Sequence, residues 1–188
     1  MSRPWRGLVL YTVGHSNRTA GELGALLGEH GLERLVDVRR YPGSRRHPQF
    51  RRAALEAGLA ERGLRYRHEP ELGGHRSPRL DSPHRALREP AFRGYADHMA
   101  TEAFRAAVLR LADEARAERT AVMCAEADPA RCHRGLLADH VVAEGGRVVH
   151  VLGPGRVAEH ELSDLLSARE PGALVYAAPP SGQLELFD

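Results

Sequence analysis

The sequence predicts an α/β domain: a mostly parallel sheet of about five strands, flanked by helices in a Rossmann-like arrangement. Three observations predict it. Short β-rich apolar runs recur along the chain, each is followed by apolar residues at helical spacing, and glycine or proline marks most of the changes between them. Strands that alternate with helices in this way pair in parallel through right-handed crossovers.

The elements follow in order. LVLYTVG (8–14) is a strand that ends on glycine, and Thr19-Ala-Gly-Glu22 is a capping-box pattern opening a helix with Leu23, Leu26 and Leu27 on one face. RLVDVR (34–39) is a buried strand stopped by Tyr41-Pro42-Gly43. A short helix over 51–62, carrying Ala54, Leu55 and Leu59, leads to a strand at 64–68. Residues 72–100, with Gly73-Gly74, Pro78, Pro83 and Pro90, are expected to form a long substrate-facing insertion loop. Thr101 caps a helix with Phe104, Ala107, Val108, Leu111 and Ala115 on its buried stripe. TAVMC (120–124) is the fourth strand. Asp128-Pro129 opens a helix running to Gly145-Gly146, and RVVHVLG (147–153) is the fifth strand. One domain over 1–178 and a tail over 179–188 account for the chain.

Composition narrows the function. The 188 residues are 42% apolar and 28% charged, an ordinary globular balance. No apolar run reaches the roughly 18 residues of a membrane span, and MSRPWRGLVLYTVG is too short in apolar length for a signal peptide, so a cytoplasmic protein is expected. Cys124 and Cys132 are the only cysteines, which offers thiol or metal chemistry and no disulfide framework. All 27 Lys+Arg residues are arginine. Without lysine, Schiff-base catalysis falls to the Met1 amine alone.

Charge is segregated. Residues 39–93 hold 14 arginines against six acids, whereas the remainder holds 13 arginines against 19 acids. A basic segment of that kind is the electrostatic footprint expected of a surface that meets nucleic acid, with scattered counter-ions as the alternative.

In a doubly wound sheet the site lies beyond the carboxyl ends of the strands. The residues there are Gly14-His15-Ser16-Asn17-Arg18 after the first strand, Asp37 and Arg39 leading to Ser44-Arg45-Arg46 after the second, and Cys124-Ala125-Glu126 after the fourth. The answering helix begins Arg131-Cys132-His133-Arg134, where free N–H groups and the dipole favour an anion. Each has a structural alternative: a helix cap or packing for His15, a pair with Arg39 for Asp37, a core position for Cys124, and an ion pair for Arg134. Together they form a candidate site, with Arg18, Arg39, Ser44, Arg45, Arg46, Arg76, Arg93 and Arg134 as phosphate contacts. Cys124, Cys132 and His133 are candidate ligands of zinc or iron, although Cys-x7-Cys-His is not a familiar metal signature.

Several motifs in order, VGHSNR, VDVR with PGSRR and PQF, LGGHR, FRGYADHM, and VMCAEADPARCHR with LLADH, resemble the bacterial domain-of-unknown-function family 488 over about residues 10–155. The resemblance implies that His15, Asp37, Arg39, Cys124, Glu126, Cys132, His133 and Arg134 occupy the family's motif positions. It implies no activity.

The chain ends PPSGQLELFD. Gln183, Leu184, Leu186 and Phe187 resemble the peptide with which bacterial polymerases and repair proteins dock on the DNA sliding clamp, Glu185 standing where Ser or Asp is usual. Pro179–Gly182 serves as a tether, and the alternative is a tail that folds back on its own core.

These readings converge on a clamp-recruited DNA repair enzyme that flips a damaged or modified base and hydrolyses its N-glycosidic bond. Asp37 or Glu126 would activate water, and His15 or His133 would protonate the leaving base. The alternatives are a cysteine-based or metal-dependent enzyme on a nucleotide or small substrate, and a non-enzymatic DNA-binding adaptor.

Overall fold

The structure is a computed structural model that describes residues 3–43, 46–170 and 173–177. A six-stranded sheet runs in the order β3-β2-β4-β1-β5-β6. Its strands are β1 (Val9–Gly14), β2 (Arg34–Asp37), β3 (Arg65–His68), β4 (Thr120–Cys124), β5 (Arg147–Gly153) and β6 (Arg156–Glu159). All neighbours pair in parallel except β5 and β6. A separate antiparallel pair joins β7 (Ala168–Glu170) to β8 (Ala173–Val175). Five helices are found among the described residues: α1 (Ala20–Glu29), α2 (Arg52–Ala60), α3 (Pro90–Met99), α4 (Glu102–Ala117) and α5 (His133–Ala143).

Alternation along the strands divides the apolar side chains between two faces. Val13, Leu35, Ala121, Met123 and Val151 pack with the leucines of α1 and α2. Leu10, Val36, Val122 and Val148 pack with the buried faces of α3, α4 and α5. Thr12 and His150, one alternation step from Leu10 and Val148, therefore point into this second face. The capping box is formed: Thr19 Oγ1 accepts from Glu22 N at 3.1 Å, and Thr19 N donates to Glu22 Oε2 at 2.6 Å.

The structure corrects four expectations. The main sheet has a sixth strand, β6, exposed throughout and turned back after Pro154-Gly155, so it has no apolar period by which to be recognised. The last third of the expected loop 72–100 is helix α3, with Pro90 in its first turn. Its Gly94 lies so close to the 76–77 backbone that an added Cβ would sit 2.3 Å from the Arg76 carbonyl oxygen, which fixes the remaining loop against the helix. The helix expected from Asp128 is broken: a 3-10 turn over Pro129–Arg131 is followed by extended Cys132, and α5 starts afresh. Strand β2 stops at Asp37, two residues early.

Among the described residues, no helix is long and apolar enough to cross a membrane.

Candidate active site

Because β4 lies between β1 and β2, the strand ends are level, with Gly14 opposite Cys124 and Asp37 opposite Met123. The β1–β4 pairing continues past the strands: His15 N donates to the Cys124 carbonyl at 2.9 Å and Ser16 N to the Ala125 carbonyl at 2.8 Å. Gly14 is required here, since its Cβ would lie 2.0 Å from the Glu126 carbonyl oxygen. The chain after Cys124 thus folds tightly over the end of β1 and brings Glu126 towards the start of α5.

A cavity of about 470 Å³ opens at this edge. Cys124, Cys132 and His133 line it together with Glu126 and Arg39, and Arg40, Tyr41, His75, Phe92 and Arg131 complete its walls. The Cys124 sulfur is 4.0 Å and the Cys132 sulfur 3.7 Å from His133 Nδ1. The three candidate ligand atoms lie within 4.8 Å of one another, close enough to hold a metal ion. The Nε2 of His133 is buried and has no hydrogen-bond partner. Its ring passes against Gly74, whose Cβ would approach Nδ1 to 2.7 Å, which accounts for the second glycine of LGGHR.

Cys132 is the N-cap residue of α5, and Arg134 Nε donates to its sulfur at 3.3 Å. The Cys124 thiol donates to Cys132 and lowers its affinity for a proton, with His133 and Arg134 acting in the same direction; Cys124 is correspondingly pushed up.

The other candidates support this cluster. Asp37 is fully buried and accepts from Arg39 N (3.1 Å), Arg39 Nε (2.8 Å), Arg39 Nη2 (2.5 Å) and Tyr66 OH (2.8 Å). Arg39 also reaches the Phe50 carbonyl at 2.8 Å and His15 Nε2 at 3.3 Å. His15 stacks on Phe50 at 4.2 Å between centroids and donates from Nδ1 to the Ser16 carbonyl at 2.9 Å. Burial lowers the pKa of His15 to about 4, so the ring is neutral and accepts from Arg39.

Three expected phosphate contacts are instead internal braces. Arg134 is 1% exposed and spends its donors on Cys132, Thr12 and the carbonyls of Glu126 and Ala127. Arg18 donates to the carbonyls of Gly14 (2.5 Å) and Leu152 (2.8 Å), tying β1 to β5. Arg76 is bound to the Gly73 and Pro70 carbonyls. Arg46 is exposed and Arg93 half-buried, and neither lines the cavity. Ser44, Arg45 and the tail residues Gln183, Leu184, Leu186 and Phe187 lie outside the described residues. Five arginines of the basic segment, Arg39, Arg65, Arg67, Arg76 and Arg79, are paired with carboxylates. The charge left to face a ligand is therefore smaller than the sequence count.

The residues missed from sequence are Arg40, Tyr41, His75 and Phe92 in the walls, and Gly74 behind His133. His75 carried a signal of its own kind only in the backbone: its φ of 56° is unusual for a residue with a Cβ.

A family model described as a domain of unknown function, DUF488, matches residues 19–141. The chain belongs to this family. The part of this DUF488 chain that matches holds Asp37, Arg39, the Cys124–His133 cluster and Arg134, while His15, Arg18 and β5 fall outside it. Neither the curated proteins nor the solved structures gave a match.

Proposed function

We propose that this protein is a cysteine-dependent enzyme acting on nucleic acid or on a nucleotide-bearing substrate, with Cys132 as the nucleophile. One observation carries the reading. The Cys132 sulfur faces the cavity from the N-terminal cap of α5 with Arg134 Nε 3.3 Å away, the electropositive setting that turns a thiol into an attacking thiolate. The sulfur bonds to an electrophilic atom of the substrate as the leaving group departs with its electron pair. Water then cleaves the sulfur–substrate bond, its proton passing to Glu126 at the cavity wall, and Cys132 returns to the thiolate. Arg40, Arg131 and His75 supply cationic or hydrogen-bonding groups for phosphate, and Tyr41 and Phe92 supply flat apolar surface for a base.

This geometry supports thiol chemistry better than the glycosidic hydrolysis expected from sequence. Four donors occupy Asp37, leaving Glu126 as the carboxylate with access to the cavity. One panel of oligonucleotides tests both chemistries. Incubation with DNA carrying altered bases, followed by mass spectrometry of the protein, is expected to show an adduct on Cys132 that Cys132→Ser abolishes. Alkali-labile strand breaks that persist in Cys132→Ser overturn the thiol reading in favour of base excision.

A metal reading is favoured by the 4.8 Å clustering of Cys124, Cys132 and His133. Two sulfurs and an imidazole on one side, with the cavity on the other, match a catalytic zinc site with an open position, where the ion would activate bound water. Stoichiometric zinc or iron in the purified protein, lost in Cys124→Ser, supports this reading over the first.

Recruitment rests on the tail sequence. Deleting residues 183–188 is expected to abolish binding to a bacterial sliding clamp without changing the urea midpoint; a lowered midpoint supports a tail that folds on its own core.

A further inference from the structure

Building on the reading of Cys132 as the reacting group, we propose that Asp139, His160, His150 and Thr12 form a one-way hydrogen-bonded chain that positions Arg134 against the Cys132 sulfur. The links are Arg134 Nη1 to Thr12 Oγ1 (3.4 Å), Thr12 Oγ1 to His150 Nδ1 (2.7 Å), His150 Nε2 to His160 Nδ1 (2.9 Å) and His160 Nε2 to Asp139 Oδ1 (3.0 Å). Asp139 is anchored by Ser163 N at 2.9 Å and Tyr176 OH at 2.8 Å.

The carboxylate end sets the direction, and the guanidinium end is compatible with it. A guanidinium donates and never accepts, so Thr12 Oγ1 accepts from Arg134 and its own hydrogen stays available to His150 Nδ1. A carboxylate accepts and never donates, so His160 carries its hydrogen on Nε2 and accepts at Nδ1 from His150 Nε2–H. Each imidazole is thereby held as the Nε2–H tautomer, and burial, which lowers the pKa of His150 to about 4, keeps that ring neutral. Asp139, Thr12 and Arg134 are at most 2% exposed and take their partners from inside the protein, while His160 is half-buried beside a neighbouring cavity. The chain cannot serve as a proton wire, because an arginine that stays protonated interrupts it before the sulfur. Its work is orientation: with Nη1 on Thr12 and Nη2 on the carbonyls of Glu126 and Ala127, the planar fork leaves Nε aimed at Cys132.

The ionisable groups that face the sulfur are Cys124 from β4, His133 and Arg134 from α5, Tyr95 from α3 and His150 from β5. Of these, Arg134 is the one the chain grips. Thr12→Val removes the hydroxyl at nearly constant shape, and Thr12→Ser restores it. In the full-length protein, the pH midpoint for iodoacetamide alkylation of Cys132, resolved from Cys124 by peptide mass spectrometry, is expected to rise by about one unit in Thr12→Val and to stay in place in Thr12→Ser; one unit is a tenfold change in proton affinity. Nitrogen-15 spectra of the imidazoles are expected to show His150 and His160 protonated on Nε2 alone. A ring protonated on Nδ1 in the unmodified protein, or a Thr12→Val midpoint unchanged in a folded protein, overturns the chain. A Cys132 midpoint in the unmodified protein no lower than the ordinary thiol value of about 8.5 instead overturns the nucleophile reading, and the tautomers still decide the chain.

Discussion

Arg134 and Thr12 sit 122 positions apart in sequence, yet the Nη1 of one reaches the hydroxyl of the other at 3.4 Å beneath the cysteine pair. The contact joins the start of α5 to the middle of β1, and the same guanidinium holds the 126–127 carbonyls over the site. Lysine cannot reproduce that fork. Arg134→Lys is therefore expected to lower unfolding free energy by about 2–4 kcal/mol, through carbonyls left without partners, and to slow Cys132 alkylation; urea unfolding and alkylation kinetics check the two effects.

Asp37 and Arg39 form a second internal brace, in which the acid is wholly buried and the guanidinium reaches the cavity wall. Asp37→Asn removes the compensating charge and leaves Arg39 buried and unpaired. A loss of about 3–5 kcal/mol is expected in urea unfolding, larger than that of Glu126→Gln, whose exposed side chain is expected to change activity and leave stability within about 0.5 kcal/mol.

Two glycines test the backbone of the site. Gly14→Ala places a methyl group on the Glu126 carbonyl, so the 124–127 turn must shift, and a large fall in melting temperature is expected. Gly74→Ala pushes instead on the His133 ring. It is expected to change the reactivity of the cysteine pair in alkylation assays with a smaller loss of stability, since a side chain gives way more readily than backbone.

Acid should unfold the protein by way of histidine. His15, His140 and His150 are each lowered to about 4 by burial, from 6.5. Between those values the unfolded chain binds protons that the folded one does not, so stability is fully present above about 6.5 and falls as pH drops to about 4. With three such groups the slope reaches about 4 kcal/mol per pH unit at its steepest. Denaturant midpoints measured from pH 7 to 4 check it, and replacing His140 with a neutral residue should flatten the curve.

Much of this was legible along the chain because it depends on local patterns. The Thr19–Glu22 box, the leucine faces of α1 and α2, the stripe of α4 and the apolar strands all form as their spacing requires. Strand β6 was not legible, since an exposed edge strand needs no apolar side chains to pair. Helix α3 was obscured by Pro90 and Gly94, residues that usually mark loops; here one occupies a helix's first turn and the other makes room for the Arg76 backbone. Thr12 and His150 did leave a trace, as polar residues inside apolar strands. Their shared purpose shows only when β1 and β5 are paired, with Thr12 level with His150.

By itself the sequence determined an α/β chain whose reactive residues follow its strands, because strand and helix periods are written residue by residue and parallel pairing gathers the strand ends on one edge. Tertiary structure decided which of those residues line the cavity. Insertion of β4 between β1 and β2 and the break at Cys132 carry two sulfurs and an imidazole into the cavity, while Asp37, His15, Arg18 and Arg134 are turned inward to brace it. That division depends on which polar groups find partners once water is excluded, a condition set by distances across the fold.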